Sequence, residues 1–346
     1  MDTIRKGLAG VFAVLFVLTA LIALLLFNLE RKAFAPQTYQ QAFANDNFYE
    51  RIPTLIAQAL SSPAQMESQP LSMRGLTTQN WENFIRSLLP PEALKEIGDQ
   101  ALTSIFAYLN DETDTAEISL APLKQSMASE AGVQAVLELL KTQPECTLAQ
   151  IGQITRSILT EQEISLCNPP EQLLGSMSPL IQTQLQISAA VIPDQITLAR
   201  TDPALGIDDP RERIKGLRLM LRLSPVLPLV FLFLMTILAV RSLRDWLAWW
   251  GIPFLGIGII ATLMALLGAP LTGFILLRSL VSKAPAYLPS VLLDNGSQLA
   301  TAIMDQLLKP VMIEGIVLMF FGFVMSGLAS LAHWTLKRKE QTATLK

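Results

Sequence analysis

Side chains that commonly carry catalytic chemistry are scarce in this chain. It contains one histidine, His333, so a zinc site of several imidazoles cannot be assembled within it. A Ser-His-Asp triad would have to use that one residue, which lies at the end of an apolar segment with no catalytic partner near it in the sequence. The phosphate-binding pattern GxxxxGKS/T, the nucleophile pattern GxSxG and a dinucleotide-binding GxGxxG after a strand are all missing from the sequence. We therefore expect no catalytic, metal-binding or cofactor-binding residues, and we predict that the protein is not an enzyme.

Two cysteines, Cys146 and Cys167, are the other reactive side chains. They enclose 20 residues, and a disulfide that closes such a loop stabilises a fold by about 3 kcal/mol. Their spacing contains no CxxC pattern, which disfavours zinc binding and redox exchange. We predict a disulfide in an oxidising compartment; two buried free thiols in a reducing one are the alternative.

The chain that must position these residues is rich in long apolar segments. Of 346 residues, 51% are hydrophobic and only 16% are charged, against roughly 25% charged in soluble proteins. A membrane-spanning helix needs about 20 apolar residues. Four segments meet this length: Leu8–Phe27, Leu223–Val240, Trp246–Gly268 and Val311–Trp334. The first could also be a cleaved secretory signal, but Pro36 directly after the candidate cleavage site favours an uncleaved anchor.

The predicted fold class is all-α, with four transmembrane helices and a large helical extracytoplasmic domain inserted between helices 1 and 2. Residues 1–30 form the N-terminal tail and the first transmembrane helix, 31–222 the domain, and 223–346 the remaining helices with an outer loop at 278–310 and a basic cytoplasmic tail. Pro270 is expected to end the third span near Gly268. Residues 270–282 then form either a re-entrant piece or an extension of that helix. Ser297–Lys309 is predicted to be a separate amphipathic helix, preceded by a turn at Asn295-Gly296.

The domain is predicted to be a helical bundle. Apolar residues recur at spacings of three and four, as at Trp81, Ile85 and Leu88, and further helices are expected at 121–141, 147–160 and 170–188. Ile118–Leu120 resembles a short strand for which the sequence offers no partner. Residues 33–209 carry 8 basic and 21 acidic side chains, a net charge of −13, which repels phosphates and excludes nucleic acid as a partner.

Positive charges near the spans predict the orientation. Basic residues are concentrated in the short segments at one side of the four helices: Arg5, Lys6, Arg241, Arg244 and Lys337–Lys339. The positive-inside rule therefore places both termini in the cytoplasm and the domain outside the cell membrane. A basic stretch before the second span lies on the outer side, against this rule. Two interpretations remain for it: contact with lipid head groups through Arg211, Lys215, Arg218 and Arg222, or a stiff extension of the second transmembrane helix.

Small residues form stripes on the third and fourth spans. Such stripes let helices approach closely within lipid, and the residues predicted to pack are Gly258, Thr262, Ala265, Ala269, Gly322, Ser326 and Ser330. Glu314 is the ionisable residue inside a span. We expect it to be an interfacial acid paired with a nearby base such as Lys309, with an ion-binding site as the alternative.

Several short motifs resemble those of bacterial four-span membrane proteins that have no established activity. The resemblance covers most of the chain and rests on Tyr39, Tyr49-Glu50-Arg51-Ile52-Pro53, Trp81, Leu89-Pro90-Pro91-Glu92, Pro144-Glu145-Cys146 and Cys167-Asn168-Pro169-Pro170. It implies the four-span topology and supports the disulfide. It implies no function.

Three functions are compatible with this sequence. The first is a non-enzymatic protein of the cell envelope whose outer domain binds a protein or lipid partner. The second is a permease-like subunit of an ABC-type complex with a cytoplasmic ATPase, because transporters of the FtsX/MacB kind resemble this layout of one span, a large outer domain and three further spans. The third, a membrane-bound enzyme, is disfavoured by the missing site residues.

Overall fold

The computed structural model describes residues 2–62, 76–147, 150, 167–201, 210–283 and 290–344. Most of the predicted helix at 147–160 and the side chains of the basic tail at 337–339 lie outside the described residues. The fold is mostly helical. Four helical segments are long and apolar enough to cross a membrane, as expected for a multi-pass membrane protein.

The described elements divide between two compact units. In chain order they are α1 (Asp2–Ala33), α2 (Pro36–Asn45), α3 (Phe48–Leu60), α4 (Thr78–Leu88), α5 (Pro91–Leu109), β1 (Thr115–Ser119), α6 (Ala121–Ala128), α7 (Glu130–Lys141), α8 (Glu171–Val191), β2 (Gln195–Arg200), α9 (Pro210–Leu223), α10 (Val226–Ala239), α11 (Leu243–Lys283) and α12 (Ser290–Thr344). Unit 1 comprises Met1–Ala42, Leu205–Leu276 and Ala300–Lys346, and unit 2 comprises Phe43–Ala204 and Leu277–Leu299.

Unit 1 is built from the apolar helices. The membrane-length segments are Ile4–Ala33, Arg211–Ala239, Leu243–Ser279 and Leu293–Thr335. Their inward residues form one core, made of Phe16, Leu21, Leu232, Met235, Ile257, Ala261, Ala265 and Val311. Many other large apolar side chains of the same helices are exposed. Such exposure suits a lipid solvent, because hydrocarbon tails are as apolar as the side chains they contact.

Proline does not interrupt the third membrane-length helix. α11 continues through Gly268 and Pro270 to Lys283, whereas the sequence predicted an end near Gly268. Of the two alternatives for residues 270–282, the structure has the helix extension. Prolines are tolerated in transmembrane helices because side-chain hydroxyls and neighbouring groups satisfy backbone carbonyls near them. The carbonyl that loses its N–H partner at Pro270 is that of Leu266, four residues earlier; one turn further on, the Thr272 hydroxyl donates to the Gly268 carbonyl at 2.8 Å.

The predicted amphipathic helix Ser297–Lys309 and the fourth span belong to one helix, α12, which contains Pro310. Asn295 and Gly296 lie inside α12, not in the turn that their sequence predicts. The Asn295 side chain accepts a hydrogen bond from Arg51 Nη1 at 3.0 Å. The Asn295 side-chain oxygen therefore contacts a residue of α3. In a turn, an Asn side chain would instead bond to its own neighbouring backbone.

Unit 2 packs short helices around a second core. Trp81 and Ile85 of α4 lie against Ala57 of α3 and Leu139 of α7, together with Leu76. The helix boundaries follow capping chemistry. The Thr77 hydroxyl accepts a hydrogen bond from the Asn80 N–H at the start of α4, as an N-cap side chain does. The break between α2 and α3 falls at Asn47, whose φ of 50° is a left-handed conformation that Asn tolerates.

A two-stranded antiparallel sheet corrects the expectation of an unpartnered strand. β1 pairs with β2, with Thr115 opposite Arg200 and Ser119 opposite Gln195. The partner strand lies directly after α8 in the chain. Local sequence patterns do not reveal such a pair, because the two strands lie about 80 residues apart and several helices intervene.

Candidate functional site

A buried carboxylate joins the ends of two helices in unit 1. Glu30, in the last turn of α1, has only 4% of its side chain exposed. It accepts hydrogen bonds at Oε1 from Arg218 Nε at 3.1 Å and from Arg222 Nε at 2.8 Å. Because the two arginines are four residues apart on α9, they lie on the same side of that helix and reach one carboxylate. The Arg218 guanidinium also lies 4.8 Å from the centre of the Phe34 ring, within cation–π range.

The four basic residues predicted to contact lipid are in different environments. Arg218 and Arg222 bind Glu30, and Arg222 keeps 59% of its side chain exposed. Lys215 forms an exposed ion pair with Glu212 at 2.8 Å. Arg211 is buried, with 5% of its surface exposed. The structure therefore brings two of the four together, and lipid contact stays a prediction.

A second polar contact ties α1 to α12. Asn28 is 2% exposed, and its Nδ2 donates to Glu314 Oε2 at 2.7 Å and to the Leu24 carbonyl at 2.9 Å. The sequence predicted a nearby base as the partner of Glu314; the structure supplies an amide from another helix. The amide therefore gives the Glu314 carboxylate a hydrogen-bond partner, which a polar group taken out of water requires.

Glycines allow α11 and α12 to come into backbone contact. A Cβ added at Gly258 would lie 2.3 Å from Met319 N, and one added at Gly322 would lie 2.2 Å from Leu255 N. Thr262 lies opposite Gly315, where its Oγ1 would be 2.8 Å from an added Cβ. No residue larger than glycine fits at these crossings without separating the helices.

The other residues predicted for helix packing differ in burial. Ala265 and Ala269 are buried, at 7% and 5% exposure, and Ser326 Oγ lies 2.7 Å from the Cβ position of Gly251. Ser330 is exposed, and its hydroxyl donates to the Ser326 carbonyl. Packing at Ser330 stays a prediction.

Cys146 and Cys167 form a disulfide, with their Cα atoms 4.9 Å apart. Backbone hydrogen bonds flank it: Cys146 N–H donates to the Asn168 carbonyl at 3.0 Å and Asn168 N–H to the Pro144 carbonyl at 2.8 Å. The bridge therefore joins the segment after α7 to the segment before α8.

Acidic side chains line a shallow groove along one side of α5, including Glu92, Glu96 and Asp99. Asp99 accepts a hydrogen bond from the Tyr49 hydroxyl at 3.3 Å and pairs with Lys95. Burial, together with the nearby Asp99 charge and this hydrogen bond, raises the pKa of Tyr49 well above its usual value. The groove residues come from a single helix and pair locally. Within the described ranges, no three His, Cys, Asp or Glu side chains are grouped as metal ligands would be.

An exposed apolar strip runs along α8 in unit 2. Leu173, Leu180 and Ile187 recur every seven residues and are 37%, 47% and 55% exposed, and Val191 is 82% exposed. Residues seven apart lie on one side of a helix. In β2, Ile196 and Leu198 are also exposed. Larger exposed apolar patches on protein surfaces often serve as contact sites for a protein or a membrane.

Sequence reasoning missed three of these features. Glu30 and Asn28 were not singled out because their partners lie 188 to 286 residues away. The α8 strip was predicted as a helix but not as an exposed surface, since a periodic apolar pattern alone does not show which side is covered. Comparison with protein-family models, characterised proteins and solved structures finds no match to this chain.

Proposed function

We propose that this chain is a non-enzymatic, multi-pass protein of the cell envelope whose helical domain binds a protein or lipid partner through the α8 strip. The observation that carries the proposal is the row of Leu173, Leu180 and Ile187 at heptad spacing, exposed on one side of α8. Leaving such side chains in water costs roughly 25 cal/mol per Å² of apolar surface. A partner that covers them recovers this free energy.

In this proposal the domain lies outside the membrane and both termini lie in the cytoplasm. The basic residues at Arg5, Lys6, Arg241 and Arg244 support the orientation, and the Cys146–Cys167 bridge is compatible with an oxidising exterior. In cells, a membrane-impermeant maleimide applied after reduction should label Cys146 from outside. Labelling only after the membrane is permeabilised would contradict the orientation.

Photo-crosslinking of the full chain in its native membrane tests partner binding. A photoreactive residue at Leu180 on α8 is expected to give adducts, whereas the same residue at exposed Gln100 on α5 is not. Ile187→Glu should abolish the adduct at position 180, because a charge seven residues away disrupts an apolar contact on the same side. Equal adducts at both positions, or adducts only within the same chain, would contradict the proposal.

A permease-like subunit of an ABC-type complex is the second candidate. α11 and α12 are continuous helices with residues in both units. An unbroken helix transmits a displacement along its axis, as coupling to a cytoplasmic ATPase requires. Purification in mild detergent should then recover an ATPase in stoichiometric amount, and its absence would remove this candidate.

A further inference from the structure

Two arginines share one buried carboxylate at the end of α1. Glu30 supplies one negative charge, and Arg218 and Arg222 supply two positive ones, all joined at Glu30 Oε1. A guanidinium has five N–H donors, and the hydrogen bond from Arg222 to Glu30 uses only its Nε. With 59% of its side chain exposed, Arg222 presents its remaining charge to the surroundings.

Exposed apolar side chains lie beside this charge on α9. Lys215, Leu219 and Arg222 follow one another at spacings of four and three and are all exposed, so they lie on one side of the helix. Leu223, four residues after Leu219 and therefore on the same side, is 55% exposed. A surface that alternates basic and apolar side chains is stable where an anionic head group and acyl chains lie side by side.

The position of Arg222 along the chain agrees with a membrane boundary. It lies four residues before Val226, where the apolar helix α10 begins. Residues 210–223 carry five basic side chains and one acidic one, whereas residues 33–209 carry a net charge of −13. Positive charge is thus concentrated where the apolar helix starts, and the phosphate groups of a bilayer lie at that depth.

We propose that Arg222 and Arg218 bind the phosphate of an anionic phospholipid, with Leu219 and Leu223 against its acyl chains. Glu30 is a positioning residue: it fixes both guanidinium groups on one side of α9 before lipid binds. The exposed charge of Arg222 selects lipids with a net negative head group over zwitterionic ones. This site is narrower than the four residues predicted from sequence, because Arg211 is buried and Lys215 pairs with Glu212. It is independent of the partner proposed for α8.

Native mass spectrometry of the full chain, released from detergent micelles, tests the site. Phosphatidylglycerol and phosphatidylcholine with identical acyl chains are titrated separately, and the fraction of lipid-bound protein gives the apparent Kd. Wild type is expected to bind phosphatidylglycerol about tenfold more tightly than phosphatidylcholine, as one charge-assisted hydrogen-bonded contact allows. Arg222→Gln should remove this preference, and Arg222→Lys should keep most of it because the charge remains.

Arg213→Gln is the matched control. It removes the same charge from an exposed position on α9 and should leave the preference within about twofold of wild type, an estimate based on the weak effect of exposed charges. Equal binding of both lipids by wild type, or equal losses in Arg222→Gln and Arg213→Gln, would overturn the proposal. Displacement of phosphatidylglycerol by inorganic phosphate at matched ionic strength would assign the cluster to a soluble anion and overturn the lipid assignment. If Arg222→Gln does not fold, loss of the preference in a folded Arg222→Lys variant counts against a charge-based site.

Discussion

Replacing Gly258 with alanine is expected to destabilise the protein, whereas the same replacement at Gly256 is not. A Cβ at position 258 would lie 2.3 Å from Met319 N, 2.6 Å from Met319 Cα and 2.7 Å from the Gly315 carbonyl oxygen. At position 256 nothing lies within 4 Å of an added Cβ. The obstructing atoms at 258 are backbone atoms of α12, which cannot rotate away as a side chain does.

The contact distances set the size of the effect. Ordinary van der Waals contact of a Cβ begins at 3.4 Å, so α11 and α12 must separate by roughly 1 Å to accept the methyl group. Overpacking of this kind costs about 1–3 kcal/mol. Replacing glycine by alanine inside a helix returns up to about 1 kcal/mol through helix propensity. Both variants share that gain, so their difference of about 2 kcal/mol measures the packing at the crossing.

Thermal unfolding of the full chain in one detergent, followed by circular dichroism, measures this difference. Gly258→Ala should unfold several degrees below wild type, and Gly256→Ala at or above it. Gly322→Ala and Gly327→Ala form a second matched pair on α12, since an added Cβ would lie 2.2 Å from Leu255 N at 322 and would meet nothing within 4 Å at 327. If the two members of each pair unfold at the same temperature, the backbone contact between α11 and α12 does not exist as described.

Three further outcomes are expected. Glu30→Gln should lower the free energy of unfolding by about 2 kcal/mol, between the values for buried and exposed ion pairs. Glu212→Gln should change it by under about 0.5 kcal/mol because its pair with Lys215 is exposed. Equal effects of the two substitutions in the unfolding assay would contradict the burial of Glu30. Cys146→Ser and Cys167→Ser should each lower the free energy of unfolding by about 3 kcal/mol. A reducing agent should lower the stability of wild type but of neither variant, and the absence of an effect on wild type would argue against the bridge. The pKa of Tyr49 is raised from 10.0, so the contribution of its hydroxyl to stability is full below pH 10 and declines as the pH rises further. Tyr49→Phe should therefore lose stability less steeply than wild type between pH 10 and pH 11. Identical slopes of unfolding free energy against pH in the two proteins would exclude Tyr49 as the cause.

The membrane-length helices were predictable because hydropathy is a local property. An apolar run of about 20 residues has few structures open to it besides a buried or lipid-solvated helix. The helix ends were less predictable. Pro270 and Asn295-Gly296 are strong local signals for a break, yet both lie inside helices. At Asn295 a tertiary contact accompanies the helical conformation, since Arg51 of α3 donates to its side chain. Pro270 lies in a long apolar helix, and proline is tolerated within such helices.

The candidate sites show the same division. The sequence indicated Arg218 and Arg222 through their charge and helical spacing, and Gly258 and Gly322 through their size. It did not indicate Glu30, because its own neighbours Arg31 and Lys32 are bases and gave no reason to look for partners near residue 220. Residues distant in the chain determine which strands pair, which carboxylate is buried and which side of a helix is exposed. A local sequence pattern does not contain this information.

Polar and close-packed contacts decide which of the apolar helices are neighbours. In a bilayer a leucine gains little by leaving lipid for a protein surface, so apolar burial alone selects no partner. Several neighbouring pairs of the described helices have a contact that lipid cannot replace. Glu30 links α1 to α9, Asn28 and Glu314 link α1 to α12, and Trp250 Nε1 donates to Thr236 Oγ1 at 3.0 Å between α11 and α10.

Glycine completes this set where polar contacts are lacking. Between α11 and α12 the specific element is the approach of Gly258 to the backbone at Met319, which only a residue without a side chain permits. The hydrogen bonds fix register because a shift of one residue would leave Asn28 or Glu30 without its partner, at the cost of an unsatisfied group in an apolar medium. The glycine crossings set the distance between α11 and α12. These small and polar side chains thus set individual contacts within unit 1, while many of its leucines are exposed, as suits a lipid solvent.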